Sequence, residues 1–341
     1  MLRSSKNKFS KSNFFTKTSI LPITLYIIKN RIIYNHLKKS IAFIRTPHRN
    51  WNIAMNRYIK NQLYRAGQLN FSKKYVESLK IFDKFYKSNP EEFTIKNRVN
   101  YAWNIYHVHI AQSQDFEEII EYAEFITEMA PQRNLNEIPA CPYTLSVFKV
   151  LDILKKQSNS AEMLYWLDKL DPDLLDSEQF NGKSRPIRSK REKYYDYLAG
   201  AYLGCGEYRK CIETSRTALN TFDVFTYDGE SLHNWRIGKS YLMLEQYEKA
   251  FLHLNRAIVN LRQWYIHRDL AEACFHLDNM ECCRMHIREA ILKPDAAKSL
   301  YYIIYLIFED SNPELAERHL EMYENPSDEL KNELRKYWKD N

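Results

Sequence analysis

Residues 194–257 repeat themselves at a shift of 39 positions, so that Leu198, Ala199, Tyr202, Tyr208 and Ala218 fall on Ile237, Gly238, Tyr241, Tyr247 and Ala257. Each copy sets a large residue beside a small one in its first half. A turn of the form Gly/Glu-x-Tyr follows, and small residues then recur seven apart, at Cys211 and Ala218 or at Ala250 and Ala257. That order predicts two antiparallel helices with one close crossing. Such a hairpin buries a single face, so its large residues must plug the groove of a neighbour.

The pattern continues on both sides. Leu270, Ala271, Cys274, Cys283, Ile287 and Ala290 take the same slots 33 residues later, and Pro294 closes that unit. Upstream, Trp103, Tyr106, Ile110, Asp115, Phe116, Ala123 and Pro131 form another copy, and Gly67, Phe71, Tyr75, Phe82 and Pro90 a further one with a shorter turn. Two stretches fit less closely. Residues 142–172 show only a second helix, through Leu164, Leu167 and Pro172, and 295–323 carry a hairpin on Leu300, Ile303, Ala316 and Leu320 without the aromatic signature.

Taken together, these tryptophan, tyrosine, small-residue and proline slots resemble the tetratricopeptide repeat. The resemblance covers roughly residues 55–325. It implies an all-α fold, a right-handed solenoid of five to seven hairpins over 51–325, preceded by a basic arm with one or two helices over 1–50. A capping helix over 326–341 is expected because Pro326 and Ser327 open a helix with Asp328 and Glu329 at its positive end and Lys336 and Lys339 near its negative end. The resemblance further implies a groove lined by the first helix of each hairpin. Its lining would be Tyr101 and Asn104, then Lys193, Asp196 and Gly200, then Trp235, Lys239 and Met243, then Tyr265, Arg268 and Phe275. Rings supply apolar area and cations pair with carboxylates, a mixture suited to an extended acidic peptide. Trp235 has a second reading, as a wedge against the adjacent hairpin.

Composition agrees with helix. Only seven glycines occur in 341 residues, and runs bounded by strand-type turns are scarce. Charge is unevenly placed: residues 1–76 hold 16 Lys or Arg and no acid, whereas 77–341 hold 34 bases and 43 acids, giving +16 and −9. A basic arm of this kind meets phosphates, anionic lipid or the body's own acidic surface, or is a solvated tail. Its first twenty residues are basic, rich in Ser and Thr and free of acids, which resembles a mitochondrial presequence, although Lys outnumbers Arg. The cytoplasm is the leading compartment and the mitochondrion the alternative. The uncharged run from Thr18 to Ile28 is eleven residues, short of the ~20 that span a bilayer. Residues 20–46 read as a helix packed on the first repeat.

Motifs for chemistry are few. No Gly-rich phosphate loop, H-E-x-x-H or G-x-S-x-G occurs, so neither catalysis nor a cofactor is expected. His107 and His109 would face opposite sides of a helix. The six cysteines lack C-x-x-C spacing, and no disulfide is expected. Cys274, His276, Cys282, Cys283 and His286 have the residue types of a zinc site, but Cys274 and Cys283 occupy packing slots, and no metal is assigned. The leading expectation is a non-catalytic adaptor or scaffold that holds a protein or peptide partner. Alternatives are RNA association through residues 1–76 and an accessory role in a biosynthetic complex. Oligomeric state is not readable from the chain.

Overall fold

The computed structural model describes residues 49–340, except 179 and 182–185, and describes side chains from Met55 onward, except those of 180 and 181. The expectations for the arm over 1–48, including targeting and the helix over 20–46, lie outside the described residues. Residues 63–341 form one compact unit, and everything below concerns it apart from the helix that begins at Arg49.

Fifteen α-helices make up the described residues. They are α1 (Arg49–Phe71), α2 (Tyr75–Ser88), α3 (Ile95–Ile105), α4 (Phe116–Met129), α5 (Pro142–Lys156), α6 (Ser160–Asp168), α7 (Lys190–Gly204) and α8 (Tyr208–Thr221), followed by α9 (Gly229–Met243), α10 (Tyr247–Ile258), α11 (Trp264–His276), α12 (Met280–Ile291), α13 (Ser299–Phe308), α14 (Pro313–Glu324) and α15 (Asp328–Asp340). The fold is an all-α solenoid of helical hairpins. The first helices also touch across hairpins, α7 on α9, α9 on α11 and α11 on α13. Among the described residues, the one pair of strands is a two-residue antiparallel ladder, Phe180–Asn181 with Pro186–Ile187, in the connection before α7.

Five hairpins share one turn. Lys73, Ser158, Gly206, Glu245 and Asp278 all adopt positive φ, between 55° and 76°. In each, the next residue's N–H reaches back to the carbonyl five positions earlier: Lys74 to Leu69, Asn159 to Leu154, Glu207 to Tyr202, Gln246 to Tyr241 and Asn279 to Cys274, at 2.8–3.0 Å. These bonds satisfy the orphan carbonyls at the end of the first helix and reverse the chain within three residues. Gly206 is the only glycine among the five. The second helices then start on side-chain caps where the sequence offers them, as at Asp115, Asn159, Asn279 and Asn312.

The small residues sit where the repeat requires. Ala199, Ala218, Ile237, Ala250, Ala257, Leu270, Ala271, Cys274, Cys283, Ile287 and Ala290 are all buried. Gly238 shows why size matters: a Cβ there would stand 2.7 Å from Leu254 Cγ and 3.0 Å from its backbone N, so α9 and α10 cross in near-backbone contact. That crossing needs glycine for space, not for an unusual φ.

Two local readings are corrected, those of residues 142–172 and of the cysteines. Residues 142–172 hold a full hairpin, since α5 is helical from Pro142 and buries Val147, Phe148, Val150, Leu151 and Leu154; its continuous apolar face lacks the aromatic slots by which the other units were found. Helix α3 passes into a π-helical turn, Tyr106–Ile110, before α4. His107 and His109 there serve different neighbours, His107 stacking on Tyr75 at 4.1 Å and His109 meeting Glu118 at 2.9 Å and the Tyr122 ring at 3.9 Å. Finally, against the expectation of no disulfide, Cys274 and Cys282 are placed as a disulfide pair, with Cα atoms 5.9 Å apart. The hairpin turn brings α11 and α12 together at those two positions, a proximity that spacing along the chain does not reveal.

Helix α15 lies on α12 and α14. It buries Leu334 and Trp338, and Arg335 donates to the carbonyls of Ile291 and Lys293 at 3.1 and 2.7 Å. Ser327 accepts from the Leu330 N–H at its start. Among the described residues, no helix is long and apolar enough to cross a membrane.

Candidate partner-binding face

The first helices α5, α7, α9 and α11 carry two linked polar clusters. In the first, Asp196 of α7 accepts from Arg236 of α9 at 2.6 Å, from Arg188 at 3.2 Å and from Lys155 of α5 at 3.2 Å. Burial works to raise the Asp196 pKa, but the charges of Arg236, Lys155 and Arg188 outweigh it and hold the carboxyl well below the usual aspartate range. Beside it, Lys193 pairs with Asp152 at 2.7 Å and lies 5.2 Å from both the Phe148 and Tyr197 ring centres. The Tyr197 hydroxyl also bonds Asp152. Glu192, buried, accepts from the N–H and hydroxyl of Thr226 and faces Arg188.

The second cluster centres on Asp269 of α11, which is fully buried. It accepts from the Trp235 indole at 2.9 Å, from Lys239 at 3.1 Å and from Arg268 at 2.6 Å. Burial pushes its pKa up, and Arg268 and Lys239 pull it down further than burial raises it. Glu272, one turn on, is raised by burial although Lys239 stands 3.7 Å away. Trp235 packs edge-on against Tyr265 at 4.8 Å, and Arg268 covers Trp264 at 5.4 Å.

Two expected lining residues face inward. Asn104 is wholly buried and donates to Ser78, whose hydroxyl donates to the Ala66 carbonyl. Tyr101 is buried among Phe82, Phe93 and Phe125 and donates to Asp83 at 2.5 Å. Neither lines a surface, because the α3 face that carries them packs onto α2. Asp196 is likewise sequestered, as the centre of a cation cluster. Trp235 is tied to Asp269 and Tyr265, which is its wedge role. Lys193, Lys239, Tyr265, Arg268 and Phe275 are partly buried, and Met243 is exposed. Gly200 lies beneath Arg236, 3.3 Å from where its Cβ would be to Nη2.

Arg236, Arg188, Lys155 and Asp269 are the members that the sequence reading missed. A signal was present: Asp269 falls in the slot of Arg236 one repeat on, and charged residues at a slot flanked by buried small residues must find partners across hairpins. Inward-pointing charge of opposite sign on successive first helices is the mark of a ladder between them.

No family model matches this chain, and no curated protein matches it. Among solved structures, it is similar to a monomeric mutant of IFIT1 with Gppp-AAAA, at 13% identity over 79% of this chain and 59% of that one, with a TM-score of 0.42. A second monomeric mutant of IFIT1, with m7Gppp-AAAA in the anti conformation of the cap, is similar at 13% identity over 91% of this chain and 68% of that one, again with a TM-score of 0.42.

Proposed function

We propose that the chain is a non-catalytic adaptor of the tetratricopeptide type that holds an acidic, extended peptide segment of a protein partner against α5, α7 and α9. The supporting observation is the charge excess around Asp196. Lys155, Lys193, Arg188 and Arg236 face Asp152, Asp196 and Glu192, and the Lys155 side chain is half exposed. A carboxylate from outside answers the surplus cation at the exposed Lys155 ammonium.

The test is capture by the intact chain, compared with a Lys155→Glu, Lys193→Glu form. These two lysines carry the partly exposed charge, so reversal changes the face with the hairpin core left in place. Partners that bind there are lost from the variant, and a synthetic Glu-rich peptide displaces them from the parent chain. Identical capture by both forms rejects this face.

A second reading rests on the 16 uncompensated cations of residues 1–76. In it the chain associates with RNA through that arm, with affinity falling steeply as salt rises. Absence of RNA binding by the intact chain at low salt removes it.

A further inference from the structure

The four slots that face one another across each hairpin change chemistry in the α11/α12 unit. In the α9/α10 hairpin, Lys249 lies 5.4 Å from the Tyr241 ring centre, His253 stacks on Tyr241 at 5.9 Å, and His253 Nδ1 meets Asn234 Oδ1 at 3.1 Å. In α7/α8 the same pair recurs as Lys210 over Tyr202 at 5.6 Å. The hairpin therefore brings these positions into contact whatever occupies them. A shift of 33 residues places Cys274 on Tyr241, Cys282 on Lys249, His286 on His253 and His267 on Asn234.

The contacts persist, now between metal-binding groups. The sulfurs of Cys274 and Cys282 and a ring nitrogen of His286 all lie within 4.8 Å of one another. Ligands of a tetrahedral zinc ion, with bonds of about 2.3 Å to sulfur and about 2.0 Å to nitrogen, stand somewhat under ~4 Å apart, so small side-chain adjustments suffice. His267 Nδ1 meets His286 Nδ1 at 3.2 Å, both rings being buried. That bond engages one nitrogen of His286 and leaves Nε2 for a ligand, the arrangement by which a neighbouring group orients a metal-bound imidazole. The disulfide pairing accounts for the sulfurs and not for the His286 nitrogen beside them, and under reduction all three groups are available to an ion. Cys282 is only half buried, which gives an ion a way in.

We propose that Cys274, Cys282 and His286 bind a zinc ion that staples α11 to α12, with His267 orienting His286 and water in the fourth position. Binding takes the two cysteines as thiolates and releases their protons. The site is independent of the peptide-binding face, because its ligands lie on the crossing of α11 with α12.

The experiment uses the full chain, purified under reductant, loaded with zinc and freed of excess. Metal analysis should find one zinc per chain, and replacement by Co2+ should give the intense visible bands of a tetrahedral ion with thiolate charge transfer. Cys282→Ser, whose folding is checked by circular dichroism, should lose the metal and the charge-transfer band, while Cys205→Ser, at an exposed and unrelated cysteine, should keep both. His267→Ala should weaken zinc binding by roughly 10- to 100-fold with the cobalt spectrum retained. A folded, reduced chain that takes up no zinc overturns the proposal, and so does a Cys282→Ser form that binds zinc as well as the parent.

Discussion

The indole N–H of Trp338 donates to Nε2 of His319 at 3.1 Å, and Nδ1 of the same ring lies 2.7 Å from the Leu315 carbonyl, to which it donates. Both ring nitrogens are committed, so His319 is neutral with its proton on Nδ1. This one imidazole joins α15 to α14, and its charge state decides whether the join holds.

Burial lowers the His319 pKa to about 4. A folded-state value below the ordinary ~6.5 means that the unfolded chain takes up the proton first as pH falls. The contribution is therefore complete above the ordinary histidine range and is lost progressively down to about 4. Hydrogen exchange of residues 328–340, corrected for intrinsic rate, should lose protection across that window in the parent chain. A flat profile would contradict the bond as the anchor of α15.

Asp196 should be costly to remove alone and cheap to remove with its partner. Asp196→Ala leaves the Arg236 guanidinium buried beside no carboxylate, a loss of about 3–5 kcal/mol. Asp196→Leu with Arg236→Met should recover most of it, since well-packed apolar groups replace buried pairs at little net cost. Urea unfolding of the three forms measures the difference, and equal midpoints for single and double variants would show that the pair is not coupled.

Gly238→Ala tests the helix crossing. Alanine favours helix over glycine by about 1 kcal/mol, yet its methyl would meet Leu254 at 2.7 Å. Overpacking of roughly 1–3 kcal/mol should win, giving a lower melting temperature. A rise would mean that α9 and α10 have room to separate.

Glu245→Gly and Asp278→Gly should raise stability by roughly 0.5–1 kcal/mol each, because a side chain in the left-handed region is strained and glycine is not. Gly206→Ala should lower it by a similar amount. Opposite signs at these equivalent positions, read by thermal unfolding, distinguish backbone strain from any effect of the lost side chains.

Much of the architecture was legible because it is written in local size and spacing. Ala199, Gly238 and Ala271 identify the crossings, and Tyr208 and Tyr247 mark the second helices. Helix α5 is not legible in the sequence because its hairpin is built on Val147, Phe148 and Leu151, without the aromatic residues in the slots that mark the other units. For the site the reading was poorer. It placed Asn104 and Tyr101 on a surface, where the contacts of α3 with α2 bury them, and it passed over Arg236 and Asp269 at the centres of the ladder.

Sequence by itself determined that this chain forms paired helices, where most of the pairs turn, and that a basic stretch precedes a more acidic body. Those properties depend on neighbours within a few residues and on composition. The rotation of one hairpin on the next was decided only in the tertiary structure. That rotation brings Asp196 to Arg236 and Trp235 to Asp269, and it is a sum of many weak packing contacts spread over distant segments, which no single repeat encodes.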